Sequence, residues 1–421
     1  MAEHGRTTSD PSAVDGHEAP LPLPTGLRLT PLDPHFRGGP YSLLAELRAH
    51  EPVHRDLELN RCVVTGHEYV AALLRDDGLL TDPRNAPRGT FAHWRGELDL
   101  RYPHPTPFVH DPDHSRLRGL VGDAFAAEAV ERFKPRIKAI VTSLLDDLEV
   151  SEFEVESIGR YAAPIATRVM AEYLGVDPTP FRQIRRLTDT SFAAFFNPFR
   201  SEDEAYAGKI ADEEISALMH GAVAARRNAP GDDAISAMIR AAEDTGTRDE
   251  EIAAVSNLLL VLGCVNTADF IVNGIRAFLQ NTRQMTKLRD RPDLIDSAME
   301  EILRFDSPVL GTVRIADRDM HIGSCPIRRG ETIAISIAGA NRDDAAHPHP
   351  DRFDIERADT PHLAFGAGRH ACPGEPLART VATEAVAGII AQFPQLELSP
   401  RGWEFASVPE FRRMKYFWIR T

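Results

Sequence analysis

The segment HLAFGAGRHACPGEPLAR, residues 362–379, restricts what this chain can fold around more than any other stretch. Its skeleton is Phe365, Gly368, Cys372 and Gly374. Gly366 and Gly368 permit a tight loop with positive φ and let backbone approach a flat ligand closely. Pro373 and the Leu377-Ala378-Arg379 run predict a helix starting just after the cysteine, with proline at or near its first turn. A cysteine at a helix N-terminus meets free N–H groups and the positive end of the dipole, which favour the thiolate that ligates metals. Phe365 would shield that sulfur from water. The bare alternative is an inert buried cysteine in a glycine-rich turn. A dinucleotide-binding loop fits less well, because the spacing is not GxGxxG and no strand–turn–helix unit with a following acid surrounds it.

The 421 residues, 43% of them hydrophobic, suffice for a large core. A net charge of −15 argues against nucleic acid or an anionic membrane as partner. No run reaches the ~18 consecutive apolar residues of a spanning helix. The polar start, MAEHGRTTSDPSAVDGHEAP, has no secretory apolar core, so residues 1–25 are expected to be a disordered leader. Cys62, Cys264, Cys325 and Cys372 are far apart in sequence and form no CxxC pair. That speaks against structural zinc or a disulfide framework and for a reducing cytoplasm.

Helical periodicity dominates. Residues 124–148 place Phe125, Val130, Phe133, Ile137 and Ile140/Val141 on one face, with Pro135 expected to kink or interrupt the helix. Residues 164–176 and 250–263 also read as helices, the second apolar enough to be buried all round. RCVVTG (61–66), TVRIA (312–316) and TIAISIA (332–338) read as short strands. No linker divides the chain, so the expected fold class is mainly α with a small β portion, one domain over residues 26–421.

The cysteine loop resembles the haem-binding signature of the cytochrome P450 superfamily, and residues 30–421 support the resemblance in chain order. It implies a helical body around a buried haem b, with Cys372 as the axial thiolate on iron. Glu301 and Arg304, three apart on a probable helix, match the family's ExxR pair. Arg352, in Pro350-Asp351-Arg352-Phe353, matches the third member of that lock. The three carry a structural role. Haem propionates need cationic or hydrogen-bonding partners. The resemblance assigns these to His114 and Arg118 in HDPDHSRLRGLV, Arg314 in TVRIADRDMHIG, and His370, with Phe365, Gly366 and Gly374 around the cofactor.

The resemblance further implies a bacterial-type enzyme without a membrane anchor or fused electron-transfer domain. Electrons would come from NAD(P)H through a separate ferredoxin and ferredoxin reductase. Arg116, Arg118, Arg369 and Arg379 offer a docking patch, or else ordinary solvated charge.

One departure stands out. Where the family has an acid followed by threonine on its distal helix, LLLVLGCVNTADF presents Val265 and Asn266, with Thr267 one residue on. That acid–alcohol pair relays protons during oxygen activation. Val265 cannot do so, and Asn266 can only hold a hydrogen-bonded water. Thr267, about 100° further round the helix, is expected to face away, while Asp269 could share the face of Asn266. Asn266 and Thr267, with Cys372, are the candidate catalytic residues.

By resemblance, the pocket is lined near Phe91 and Trp94, by Phe192, Phe195, Phe196 and Phe199, by Leu262, by Val309, Leu310 and Thr312, and near Val408–Phe411. Phe192 to Phe199 at helical spacing reads equally well as plain core. Three functions remain open. The first is a monooxygenase hydroxylating or epoxidising an apolar small molecule in specialised metabolism. The second is the same fold performing oxidative coupling, desaturation or a peroxide-driven reaction without oxygen insertion. The third is a non-enzymatic haem sensor or carrier.

Overall fold

The computed structural model describes residues 23–88, 90, 110–149, 153–357 and 360–421. The expected leader falls mostly outside these, although Leu23 packs against the cluster of Leu29, Leu47 and Val63. Phe91 and Trp94 also lie outside the described residues.

Helices that position the site are α1 (His67–Arg75), α2 (Asp113–Gly122), α3 (Ala127–Glu149), α4 (Ala163–Leu174), α5 (Phe181–Phe196), α6 (Glu202–Asn228), α7 (Asp249–Gln280), α8 (Ile295–Phe305) and α9 (Glu375–Gln392). Helix α3 runs through Pro135 without interruption. An interior proline costs about 3 kcal/mol. Burial of Val130, Ile137, Ile140, Val141, Leu144, Leu145 and Leu148 on one face outweighs it, at about 1.5–3 kcal/mol for each fully buried large side chain.

Helix α7 extends seventeen residues past the expected end at 263, because Ala268 to Leu279 are all buried and continue the apolar run. It is long and apolar enough to cross a membrane, yet 72% of its most apolar window is buried inside the protein. It is the core helix around which α4, α5, α6 and α9 pack.

Nine strands occur among the described residues: β1 (Val53–Asp56), β2 (Arg61–Val64), β3 (Glu154–Glu156), β4 (Gly311–Ile315), β5 (Met320–Ile322), β6 (Cys325–Ile327), β7 (Thr332–Ser336), β8 (Glu397–Phe405) and β9 (Met414–Arg420). The main sheet has the order β1-β2-β7-β4, with β2 and β7 parallel and the other pairs antiparallel. β5 and β6 form a separate hairpin, and β3-β9-β8 a C-terminal sheet.

Two buried charged centres tie the layers together. Arg304 Nε and Nη2 clasp the Glu301 carboxylate at 2.7 and 2.9 Å, with both side chains fully buried. The third arm is Arg357, whose Nε lies 3.0 Å from Glu301 Oε2 and whose other nitrogens donate to the carbonyls of Pro348, His349 and Arg352. The expectation for Arg352 is therefore corrected: its side chain is 66% exposed and pairs with Asp354, and only its carbonyl joins the lock. The second centre is Asp306, fully buried, which receives Arg276, Arg412 Nε at 3.1 Å and the Tyr41 hydroxyl. It joins α7, the N-terminal region and the C-terminal segment, and nothing in the local sequence marks it.

Candidate active site

The cysteine loop is built by its glycines. Gly366 (φ 72°) and Gly368 (φ 69°) adopt left-handed backbone. A Cβ on Gly368 would stand 2.8 Å from the Leu74 carbonyl oxygen, so the end of α1 also demands glycine there. The Cys372 amide donates to the Phe365 carbonyl at 2.8 Å, folding the loop back on itself. Helix α9 starts at Glu375 with Gly374 as its cap, and the proline in its first turn is Pro376 rather than Pro373. Burial pushes the Cys372 thiol up, while the Gly374 and Glu375 amides and the Arg118 guanidinium pull it down toward thiolate. The dipole effect expected from the sequence is present, and desolvation exceeds it. The sulfur is accessible because it faces a cavity.

That cavity, of about 380 Å³, is lined by His114, Arg118, Arg314, Phe365, Gly366, His370, Cys372 and Gly374, the whole expected cofactor set. The His114 and His370 rings stand 4.4 Å apart. Arg118 donates to the Ala371 carbonyl, and Arg314 Nη1 to the Val313 carbonyl at 3.0 Å. Neither guanidinium forms an ion pair among the described residues. Burial lowers Arg314 to about 10, against the opposing pull of Glu410. Burial, then Arg314, His114, Arg369 and His110 in turn, holds His370 down to about 3. Two desolvated guanidinium groups without an ion-paired carboxylate are costly alone and relieved by an anion, and the neutral imidazoles beside them can donate hydrogen bonds to it. Beside a cavity-facing cysteine and a glycine cradle, this donor set fits haem and its two propionates.

Opposite elements make the remaining wall. Helix α7 presents the stripe Val255, Leu258, Leu259, Leu262, Gly263, Asn266, Thr267 and Phe270. These fall at i, i+3, i+4 and i+7, one helical face. Thr267 thus faces the cavity beside Asn266, contrary to expectation, because the exposed arc of α7 is wider than the 100° separating them. Asn266 Oδ1 is buried and accepts no hydrogen bond among the described residues. Val265 is buried off the cavity. Asp269 also turns away, with Oδ1 4.0 Å from Arg413 Nε, and burial pushes its carboxyl up to about 7 despite Arg413.

Phe195, Phe196 and Phe411 line the cavity, and Phe192, Phe196 and Phe411 stack mutually at 4.7 Å between centroids. Phe192 itself is fully buried core behind that wall, so its place in the pocket is corrected. Val309 and Thr312 line the cavity, but Leu310 points the other way, packing with Phe36, Leu44 and Ala338. Strand alternation puts neighbouring residues on opposite faces. Val408 belongs to the core and Phe199 is exposed. Glu410, the one acid on the described cavity wall, lies within the expected lining segment Val408–Phe411.

The four arginines considered for docking carry local partners or turn inward. Arg116 pairs with Glu251, Arg369 with Asp77 and Asp111, Arg379 with Glu375 and Glu300, and Arg118 faces the cavity. They do not form an uncompensated basic patch.

A family model described as cytochrome P450 matches residues 212–402. The chain is 32% identical over 386 residues to the biotin biosynthesis cytochrome P450 of Bacillus subtilis (strain 168), covering 90% of this chain and 95% of that protein. It is 32% identical over 406 residues to cytochrome P450 monooxygenase PikC of Streptomyces venezuelae, covering 94% of each. Among solved structures it resembles the P450 enzyme CxnD for C–S bond formation in chuangxinmycin biosynthesis, with a TM-score of 0.84 and 28% identity over 96% of this chain and 98% of that one. With the fold, the cavity and these relatives in agreement, this chain belongs to the cytochrome P450 family, an oxidoreductase of the bacterial monooxygenase type whose membership implies a haem held by a cysteine thiolate.

Proposed function

We propose that this enzyme hydroxylates or epoxidises an apolar small molecule of specialised metabolism, with Asn266 and Thr267 replacing the usual acid–alcohol pair. The observation that carries the reading is that both residues line the same cavity as the candidate ligand Cys372, on the wall opposite it. Haem held there supplies dioxygen activation, helped by the electron-donating thiolate. His114, Arg118, Arg314 and His370 would hold the propionates, and Phe365 would screen the sulfur. The Thr267 hydroxyl can pass a proton on. The Asn266 amide, on the cavity wall, can hydrogen-bond a water or a substrate hydroxyl. The apolar stripe of α7 and the phenylalanine wall select a hydrophobic substrate. Electrons would arrive from NAD(P)H through a separate ferredoxin and its reductase, in a bacterial cytoplasm.

A second reading, oxidative bond formation without oxygen insertion, is favoured by the burial of Val265 where an acid would sit and by the CxnD likeness. Reconstituted turnover with a surrogate ferredoxin, reductase and NADPH, over a library of apolar metabolites, separates the two. A product heavier by one oxygen supports the first, and one that only loses hydrogen supports the second. In the first case Thr267→Val and Asn266→Ala should each lower product formed per NADPH by about tenfold or more. Unchanged coupling in both variants would remove these residues from proton delivery.

A further inference from the structure

Two of the four cysteines, remote in sequence, meet in the fold. Cys62, on β2, is fully buried in the cluster of Val64, Val70, Ile322, Ile327 and Ile333, and Cys325, on β6, packs onto that cluster half-exposed. Arg55 is the cross-strand partner of Cys62, and its Nη2 donates to the Cys325 sulfur at 3.9 Å. The same guanidinium is anchored by Glu331 Oε2 at 2.7 Å and by the Pro326 carbonyl. Both cysteines thus belong to one packed cluster beside the same guanidinium, and both are free. They sit apart from the cavity, which neither cysteine lines.

We propose that Cys62 and Cys325 form a redox-modification site, a dithiol that a peroxide oxidises to a reversible disulfide. Cys325 is the thiol an oxidant in solution can meet. Its sulfur attacks the peroxide O–O bond, giving a sulfenic acid and one water. The Cys62 sulfur then attacks the Cys325 sulfur, the S–O bond breaks, and a second water leaves. Two thiols and one peroxide become one disulfide and two waters, with the two electrons passing from sulfur to oxygen. Cys62 is an unusual resolving partner. Burial pushes its thiol up to about 12, so it is protonated at rest and passes its proton to the hydroxide leaving Cys325 as it attacks, which completes the second water. A small thiol could cap Cys325 but has no route to Cys62. Disulfides in a reducing compartment are usually transient and redox-sensing, and this arrangement fits that class.

The crosslink would have a defined mechanical effect. β5 and β6 form a hairpin outside the main sheet, joined to it by the segment following β4 and the turn preceding β7. A Cys62–Cys325 bond would pin the hairpin to β2. Strand β2 pairs with β7, and β7 with β4, the strand carrying Arg314 to the cavity. Oxidation should therefore stiffen the sheet that holds one of the candidate propionate partners.

The test uses the haem-loaded full chain, treated with diamide in one arm and with substoichiometric hydrogen peroxide in another. Remaining thiols are then alkylated under denaturing conditions. Non-reducing tryptic mapping should show the peptide of residues 62–75 joined to that of residues 319–328, two hydrogens lighter than their sum and released by dithiothreitol. The oxidised protein should melt at a higher temperature than the reduced one, and the difference should vanish in Cys62→Ser and in Cys325→Ser. If Cys62→Ser fails to fold, Cys325→Ser, altered at the half-exposed position, still decides the matter. Recovery of Cys325 as a sulfinic acid or a mixed disulfide while Cys62 is alkylated as a free thiol would overturn the proposal. So would a rise in melting temperature on oxidation that persists in Cys325→Ser.

Discussion

Arg357 Nε sits 3.0 Å from Glu301 Oε2, five residues beyond the arginine that the local sequence pattern nominates for that contact. The two arginines should separate cleanly on substitution. Arg357→Ala leaves part of a fully buried carboxylate uncompensated and should cost on the order of 3 kcal/mol. Arg352→Ala, at an exposed side chain, should stay within about 0.5 kcal/mol of the parent. Urea unfolding of the two variants measures the difference. Equal effects would return Arg352 to the lock.

Asp306 should make the protein acid-labile in a specific way. Burial alone would push its carboxyl up, but Arg276 and Arg412 beside it, with hydrogen bonds from Tyr41 and Arg276, hold it well below the usual carboxylate range. A folded-state value below the unfolded one contributes stability that is present above about pH 4 and lost as pH falls further. Asp306→Asn should therefore be less stable than the parent by on the order of 3–5 kcal/mol at pH 7. The gap should narrow below pH 4. A gap that is constant with pH would mean packing rather than charge is responsible.

Asp212, on α6, has the opposite sign. Burial pushes its carboxyl up to about 7, with Asn257 opposing and Glu213 adding to the rise, and Ser191 Oγ donates to it at 3.3 Å. Between about pH 4 and pH 7 the unfolded chain gives up this proton and the folded chain keeps it, so stability falls across that window and stays lower above it. Asp212→Asn should melt higher than the parent at pH 8, by on the order of 3 kcal/mol, and match it near pH 4. Thermal unfolding at the two pH values tests both the sign and the window.

The phenylalanine wall predicts a change in ligand size. Phe196→Ala opens the cavity between α5 and the C-terminal segment, while Leu262→Trp fills it from α7. Titration with a phenylimidazole series, followed by the haem absorption shift, should favour bulkier members in the first variant and weaken all of them in the second. Identical affinities throughout would place the substrate elsewhere.

Part of this architecture is legible in the sequence, and part is not. The cysteine loop was readable because backbone geometry needs glycine at Gly366 and Gly368 and chemistry needs a thiol at Cys372, all within one short segment. Glu301 and Arg304 are legible only through their place before the cysteine loop, since Glu58/Arg61 and Glu410/Arg413 have the same spacing. The third arm was missed because the loop from Pro348 to Arg357 sets which arginine turns inward, and loop conformation has no period to read. Asp306 and the Cys62–Cys325 contact depend on segments brought together only by tertiary packing. The orientation of Thr267 has another cause: helix geometry gives the angle between two residues, but not the width of the cavity they face.

The rings of Phe195, Phe196 and Phe411 belong to α5 and to the segment before β9, whereas the sulfur and its surrounding cations belong to the cysteine loop, α2 and β4. The aromatic contour and the sulfur end are thus inherited on separate stretches of chain, although α7 contributes to both substrate fit and proton delivery. A lineage can redraw the aromatic contour by single substitutions and meet a new metabolite without disturbing the reactive end. Retargeting is therefore an easy evolutionary step for this scaffold, and a new chemistry a hard one.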